Sequence, residues 1–307
     1  MTIRIGIIGF GKIARDQHVP SIAADPRLTL AAISTRSGDP GIGVPCVAEP
    51  EALFGQVDAV AICTPPGVRH PIARAAIEAG LAVLLEKPPA ATLGELEDLE
   101  ARARAAGTCL YAAWHSQHAP GVCPAYELLA GETIARLAIE WREDVRKWHP
   151  GQDWVWEPNG FGVFDPGINA LSIASAILPG RLFVRDATLE IPANRQAPIA
   201  ARIAFAGADH HARFDWRETR GEAWSIAVET ASGRRIELRD GGARLLVDEA
   251  EQAVADNGEY PSIYARFAEL IAARAIEVDR EPLRIAADAF LVARRQIVAP
   301  FEWTQAN

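Results

Sequence analysis

The side chains of this 307-residue chain that could do chemistry fall into a few short strings. Gly9-Phe10-Gly11-Lys12-Ile13-Ala14 follows directly on an apolar run and fits GxGxxG/A. In that pattern the first glycine permits a tight turn and the second lets the backbone approach a pyrophosphate. The last small residue, here Ala14, allows close helix-strand contact. The ligand's negative charge would rest on the N-terminus of the following helix, beside Lys12 and Ile13. At the end of the next apolar run the chain reads Ile33-Ser34-Thr35-Arg36. A carboxylate there would bond a ribose 2′-hydroxyl and repel a 2′-phosphate, and none is present. Thr35 offers a hydroxyl, and Arg36 can pair with phosphate or stack on adenine. NADP is the expected cofactor, with NAD also accepted; the plain alternative makes Arg36 a solvated loop charge.

Two more strings, Cys63-Thr64-Pro65-Pro66 and Glu86-Lys87-Pro88-Pro89, close apolar runs at the edge where open parallel sheets bind ligands. Lys87 is restricted by the proline that follows it, and the competing reading is an exposed Glu86-Lys87 pair. Asp165 and Asn169 are four apart at the opening of a helix, hence on one face, so both could point at one substrate. Asp165 could equally do no more than cap that helix.

These strings need elements to hold them. Over residues 4–112, short apolar runs alternate with helix-like segments, as in consecutive βαβ units. The runs 5–8, 28–33, 59–62, 82–85 and 110–113 are continuous, as in parallel strands covered on both faces. Helices are expected over 72–79 and 93–106, stopped by Gly80 and Gly107. Two prolines and a glycine at 119–124 mark a change of texture, giving a dinucleotide-binding domain over 1–119 and a substrate-binding and oligomerisation domain over 120–307. In the latter, period-two alternation at 134–141 and 187–191, followed by runs at 199–205, 212–216, 224–230 and 234–238 with turn residues between them, describes a largely antiparallel sheet. Asp165-Pro166 opens a helix to about residue 178, with Asp in the N-cap position, and helices over 261–275 and 282–298 close the chain.

Composition bounds the partners. The chain carries 31 basic and 40 acidic residues, a net charge of -9, with no basic run, which argues against nucleic acid. No apolar stretch approaches 18 residues, and the first ten read as a strand entering a turn, so a cytoplasmic protein without a membrane partner is expected. Cys46, Cys63, Cys109 and Cys123 fit neither a zinc template nor a disulfide scaffold, so reduced thiols and no metal are expected.

Gly9 to Ala14, Cys63 to Pro66 followed by His70, and Glu86 to Pro89 together resemble the Gfo/Idh/MocA family of sugar and polyol oxidoreductases over nearly the whole chain. The longer strings Trp141-Arg142-Glu143-Asp144, Arg146 to Gln152 and Gly162 to Leu171 resemble the branch that oxidises L-arabinose and D-galactose at C1. The resemblance implies an α/β chain: an N-terminal Rossmann-type parallel-sheet domain and a C-terminal α+β domain with an open, largely antiparallel sheet. It adds Cys63, Thr64, Pro65, Pro66, His70, Glu86 and Lys87 to the cofactor residues, and a sugar as substrate. Family members often cover the open sheet with a second copy, so a homodimer is expected.

Oxidising an aldopyranose at C1 needs a base for the anomeric hydroxyl and a group that balances charge at O1. Many family members have Asp-xxx-His with the imidazole as base, whereas Asn169 cannot take up a proton at neutral pH. The resemblance therefore implies Asp165 as the acid-base group, Asn169 as its orienting partner and Lys87 at O1, with neutral Lys87 as the alternative base. It also implies Glu143 and His149 as partners of the ring hydroxyls. Trp148, Trp154 and Trp156 crowd the same stretch, and one of them, Trp148, is expected to pack on the sugar while the others serve the core. His115, after Trp114, is a further pocket candidate. Two other functions compete: a non-catalytic nucleotide- or sugar-binding regulator of the same fold, which retention of Lys87 and Asp165 argues against, and a polyol or inositol dehydrogenase, disfavoured by Asn169.

Overall fold

The computed structural model describes residues 2–303. Its strands in chain order are Ile3–Ile8 (β1), Leu28–Ser34 (β2), Cys46–Val47 (β3), Ala59–Ile62 (β4), Ala82–Leu85 (β5), Leu110–Ala112 (β6), Ile134–Arg142 (β7), Val184–Pro192 (β8), Ala200–Phe205 (β9), His210–Asp215 (β10), Ala223–Thr230 (β11), Arg235–Arg239 (β12), Arg244–Val247 (β13), Ala250–Gln252 (β14), Ile276–Glu277 (β15) and Arg294–Val298 (β16). The helices are Val19–Ala24 (α1), Arg69–Glu78 (α2), Leu93–Ala106 (α3), Val122–Leu129 (α4), Val145–Trp148 (α5), Phe164–Ile177 (α6), Glu259–Ala273 (α7) and Glu281–Val292 (α8). None among the described residues is long and apolar enough to cross a membrane.

Contacts divide the chain into two compact units. The first comprises the chain up to His115 together with Asn257–Arg280. The second comprises Ser116–Asp256 and the chain from Glu281. The break expected at 119/120 lies four residues from the observed one, and a single break leaves out the return of 257–280 to the first unit.

In the first unit the strands run β15-β6-β5-β4-β1-β2-β3, and every pairing is parallel. Continuous apolar runs give strands buried on both faces, and all four residues of β4 are inaccessible to solvent. Local signals set α3: the Thr92 side chain accepts from the Glu95 backbone at 3.2 Å, and Gly107 ends the helix at φ 63°. The apolar residues of α7, namely Tyr260, Ile263, Tyr264, Phe267 and Leu270, recur at helical spacing and pack in one core with Ile5, Ile7, Ala61 and Leu84.

The second unit is built on a sheet in the order β14-β13-β12-β11-β7-β10-β9-β8-β16. It is largely antiparallel, with parallel pairs at β7/β10 and β8/β16. The helix expected over 282–298 stops at Val292, and its last residues form β16 instead, where Arg294 pairs with Asp186 at 2.8 Å. Pairing with β8 won over helix propensity here. The β13-β14 hairpin was also unforeseen, because Asp248 and Glu249 take the left-handed backbone, at φ 47° and 70°, where a glycine would have announced the turn.

The helix α6 is apolar on almost every side and correspondingly buried. It begins at Phe164, two residues before the expected start, with Val163 rather than Asp165 at the N-cap position and no side-chain cap. Asp165 therefore lies inside the first turn, and the capping role expected for it is not what holds it there. The turn is aimed instead by the preceding loop, in which Gly162 adopts φ 54° and the Val163 backbone donates to the Pro198 carbonyl at 2.8 Å. A Cβ on Gly162 would collide with that same carbonyl oxygen. Gly162→Ala is expected to cost about 2 kcal/mol and to lower the thermal midpoint, whereas Gly180→Ala, which meets nothing within 4 Å, should leave it unchanged in the same melting experiment.

Candidate active site

At the carboxyl edge of the first sheet the predicted cofactor strings meet. The Gly9 backbone donates to Ser34 at the end of β2, Cys63 donates to Ile8, and Glu86 donates to Ile62. Gly9 takes φ 86°, and a Cβ there would come within 2.8 Å of the Thr64 backbone nitrogen, so the turn can hug the β4 edge only as glycine. A Cβ at Gly11 would enter open space. Beside Gly9, Thr64 Oγ1 is buried with no hydrogen-bond partner among the described residues. An open glycine turn next to an orphaned hydroxyl suits a dinucleotide, with Gly9, Gly11 and Thr64 as the groups that would hold it.

The flanking residues are less uniform. Lys12 is exposed and paired with Asp16 one turn on, and Ile13 is 39% exposed. The Thr35 hydroxyl accepts from the Ser37 backbone at 3.3 Å, leaving Arg36 exposed in the turn. Pro65 leads into a short 3-10 turn, Pro66–Val68, ahead of α2. His70, in the first turn of α2, bonds Asp98 on α3 at 2.8 Å.

Behind this edge lies a polar cluster centred on Glu86, which is 4% exposed. Its Oε1 accepts from His18 Nε2 at 3.0 Å and from the Tyr260 hydroxyl at 2.6 Å, and its Oε2 accepts from the Lys87 backbone at 2.8 Å. Burial alone would raise this carboxyl, but His18 and Tyr260 outweigh it and hold it down at about 2. Burial likewise opposes charge on His18, yet the neighbouring Cys63, Tyr264 and Glu86 raise it well above the ordinary imidazole range. His18 reaches the cluster through a wide π turn, Ala14–His18, directly after the glycine motif. Its Nδ1 lies 2.7 Å from the Tyr264 hydroxyl, and its Nε2 lies 3.5 Å from Cys63 Sγ. His115 stacks on Tyr260 at 5.6 Å and bonds Glu259 at 2.7 Å, so this pocket candidate is tied to α7.

The sequence reading passed over Arg69. This arginine is 2% exposed, and its guanidinium donates to the Glu86, Pro88 and Thr64 carbonyls, clamping the loops after β4 and β5 together. His18 and Tyr260 were missed as well. An arginine beside His70 and a histidine after the glycine turn are visible as letters, but their partners are remote in sequence.

The second unit gathers Glu143, His149 and Asp165. Glu143, just past β7, accepts from the Trp216 indole at 3.3 Å and the Trp224 indole at 3.0 Å. Burial pushes it up to about 7, with Asp165 adding to the rise and His149 and the two indoles opposing it. His149 Nε2 lies 3.3 Å from Asp165 Oδ2, and both side chains are largely buried. Asn169 stands half-buried one turn along α6. Of the three tryptophans, Trp156 packs in the core against Trp216 and Phe301, Trp154 bonds Gln152, and Trp148 is 41% exposed.

A parallel sheet with a glycine turn at its carboxyl edge is the framework of a dinucleotide-binding oxidoreductase, and the second unit carries its own buried acid-imidazole pair. Residues 3–113 match the Gfo/Idh/MocA oxidoreductase family with its NAD-binding Rossmann fold. The chain is 45% identical over 305 residues to galactose 1-dehydrogenase of Pseudomonas fluorescens, covering 97% of this chain and 98% of that one. It superposes on the crystal structure of D-galactose-1-dehydrogenase from Rhizobium etli with a TM-score of 0.91 and 48% identity, over 98% of both chains. KijD10, a 3-ketoreductase from Actinomadura kijaniata in complex with NADP and TDP-benzene, shares the fold at a TM-score of 0.83 and 20% identity, over 98% of this chain and 100% of that one. The chain belongs to the Gfo/Idh/MocA family.

The Glu86-His18 pair makes stability depend on pH in both directions. Because Glu86 is held near 2 in the folded protein, its contribution is complete above the ordinary carboxylate range and is lost as pH falls towards about 2. The raised His18 contributes fully below about 6.5, and that share is lost as pH climbs through the raised value. Thermal midpoints measured against pH should therefore flatten on the acid side in Glu86→Gln and on the alkaline side in His18→Gln. His18→Leu, which strands the buried carboxylate, should cost about 3 kcal/mol or more.

Proposed function

We propose that the protein is an aldose 1-dehydrogenase that oxidises C1 of D-galactose, L-arabinose and related pyranoses to the aldonolactone, with NADP as the preferred acceptor and NAD also used. The observation that carries this reading is the 45% identity to a galactose 1-dehydrogenase across nearly the full length of both chains. The acid-imidazole group formed by Glu143, His149 and Asp165 supports it, since such side chains give paired hydrogen bonds to adjacent sugar hydroxyls. NADP is favoured by exposed Arg36 and by the lack of a carboxylate at the end of β2.

The bound nicotinamide supplies the hydride acceptor, and this chain's residues do the rest. Asp165 takes the anomeric hydroxyl proton as C1–H departs with its electron pair and the C1=O bond forms, so each turnover yields one lactone, one reduced cofactor and one proton. Lys87 balances the charge developing at O1, its backbone fixed through Glu86. Asn169 orients the substrate, and the exposed face of Trp148 offers a surface for the apolar C–H side of the pyranose. D-galactose and L-arabinose share their configuration at C1 to C4 and differ by the C5 hydroxymethyl, so a pocket that accepts one accepts the other unless its C5 corner is filled.

Absorbance at 340 nm with NADP and a panel of aldoses tests the proposal: reduction with D-galactose and L-arabinose supports it, and no signal with any aldose overturns it. Asp165→Asn is expected to lower kcat by about 10²- to 10⁴-fold with cofactor affinity intact, while unchanged turnover would move the base to Lys87. Arg36→Ala is expected to raise KM for NADP while leaving KM for NAD alone.

A further inference from the structure

Arg69 stands where an arginine chosen for stability would not. It is the first residue of α2, at the end of the helix where the dipole disfavours a cation, and it is 2% exposed. Its neighbour His70 bonds Asp98 of α3, and Asp98 also accepts from Arg102, so the opening of α2 is tied down at its base. From there the long side chain reaches main-chain atoms at the carboxyl edge of the first sheet.

The choice of those atoms is the informative feature. Nη1 donates to the carbonyls of Glu86 and Pro88, the residues on either side of Lys87, and Nη2 donates to the carbonyl of Thr64. Lys87 is half-buried between these two buried neighbours, and its backbone nitrogen donates to Glu86 Oε2. Glu86 thus fixes the lysine's own nitrogen, while Arg69 fixes the carbonyls before and after it. The Thr64 peptide lies against the glycine turn, where its nitrogen would be 2.8 Å from a Cβ at Gly9. One planar group therefore grips both the segment that carries the lysine and the segment beside the dinucleotide turn. A guanidinium suits this task because its five N–H donors lie in one plane at fixed angles. An ammonium carries its three donors on a single atom and imposes no such plane.

We propose that Arg69 is a positioning residue: its guanidinium sets Lys87 in register with the seat of the dinucleotide by holding the main chain on both sides of that lysine and at Thr64. This rests on the reading of Lys87 as the group that balances charge at O1, and of the glycine turn with Thr64 as the cofactor's seat. The part played by Arg69 is geometric. A shift of about 1 Å in the backbone at Lys87 carries the ammonium off O1, and misplacement of that size can cost about 10²-fold in rate.

Fluorescence titration with NADPH, which needs no sugar, counts the folded sites of each variant and gives their affinity. Arg69→Lys keeps the buried charge and loses the fork. It is expected to raise Kd for NADPH several-fold and, with D-galactose and saturating NADP, to lower kcat per titrated site by about tenfold or more at little changed KM for the sugar. Arg69→Gln, which buries no charge and reaches fewer carbonyls, should show the same two defects. Fewer titratable sites at unchanged Kd and unchanged kcat per site would make Arg69 a support of the fold only and overturn the proposal. A double-mutant cycle asks whether the effect passes through the lysine, read by single turnovers with enzyme in excess over NADP so that slow hydride transfer is still followed. In a Lys87→Met background, Arg69→Lys should slow transfer by no more than about twofold, because the group it positions is already gone. Losses that multiply in full overturn the proposal. Wild-type turnover in Lys87→Met would instead remove the reading of Lys87 on which the proposal rests. If the wild-type protein oxidises no aldose, the proposed function fails by itself, and an unchanged NADPH affinity in Arg69→Lys still overturns the register.

Discussion

A buried carboxylate is tolerable only while its lone pairs and its charge are answered, and Glu86 is such a group. Three of its four partners come from other stretches, His18 from the turn after the glycine motif, Tyr260 from α7 and Arg69 on its carbonyl, and the fourth is the backbone of its neighbour Lys87. Each partner therefore has its position dictated by one acid. The glycine turn, the edge of β4 and the end of β5 are held in register by this cluster as much as by the sheet. Lys87 inherits its place from the same network, which explains why a charged side chain can follow directly on a buried one.

The second unit solves a related problem with the opposite outcome. There Glu143 is also buried, but its partners are indole N–H groups and one imidazole rather than a full countercharge. Its carboxyl consequently sits near neutrality instead of far below it. The contrast separates a structural acid, ionised over the whole working range, from acids poised to exchange protons. Burial is common to both; what differs is whether a committed cation stands alongside.

How much of this was legible depended on whether the deciding contact was local. The runs at 59–62 and 82–85 and the helix at 93–106 coincide with observed elements because their signals are contained in them: unbroken apolar runs, Thr92 as cap, Gly107 as stop. The second sheet's middle strands were readable from alternation in the same way. By contrast, β16 exists because β8 offers it a partner about a hundred residues upstream, and no property of Arg294 to Val298 alone announces that. The chemistry follows the same division. The glycine motif and the Asp165/Asn169 spacing stand out as letters, whereas the contact of His149 with Asp165 and the clamp of Arg69 are products of tertiary structure. The missing histidine at 169 looked like a deficit in the sequence; in the folded chain an imidazole reaches Asp165 from another loop.

The excursion of the chain between its two visits to the first unit has a consequence for biosynthesis. A ribosome must deliver the whole of 116–256 before α7 can emerge to cover the parallel sheet. Until then His18 and Glu86 lack their two phenols, and an apolar flank of the sheet faces water. The nucleotide-binding half, although it is encoded first, is completed late, and its nascent form offers the kind of uncovered surface on which chaperones act.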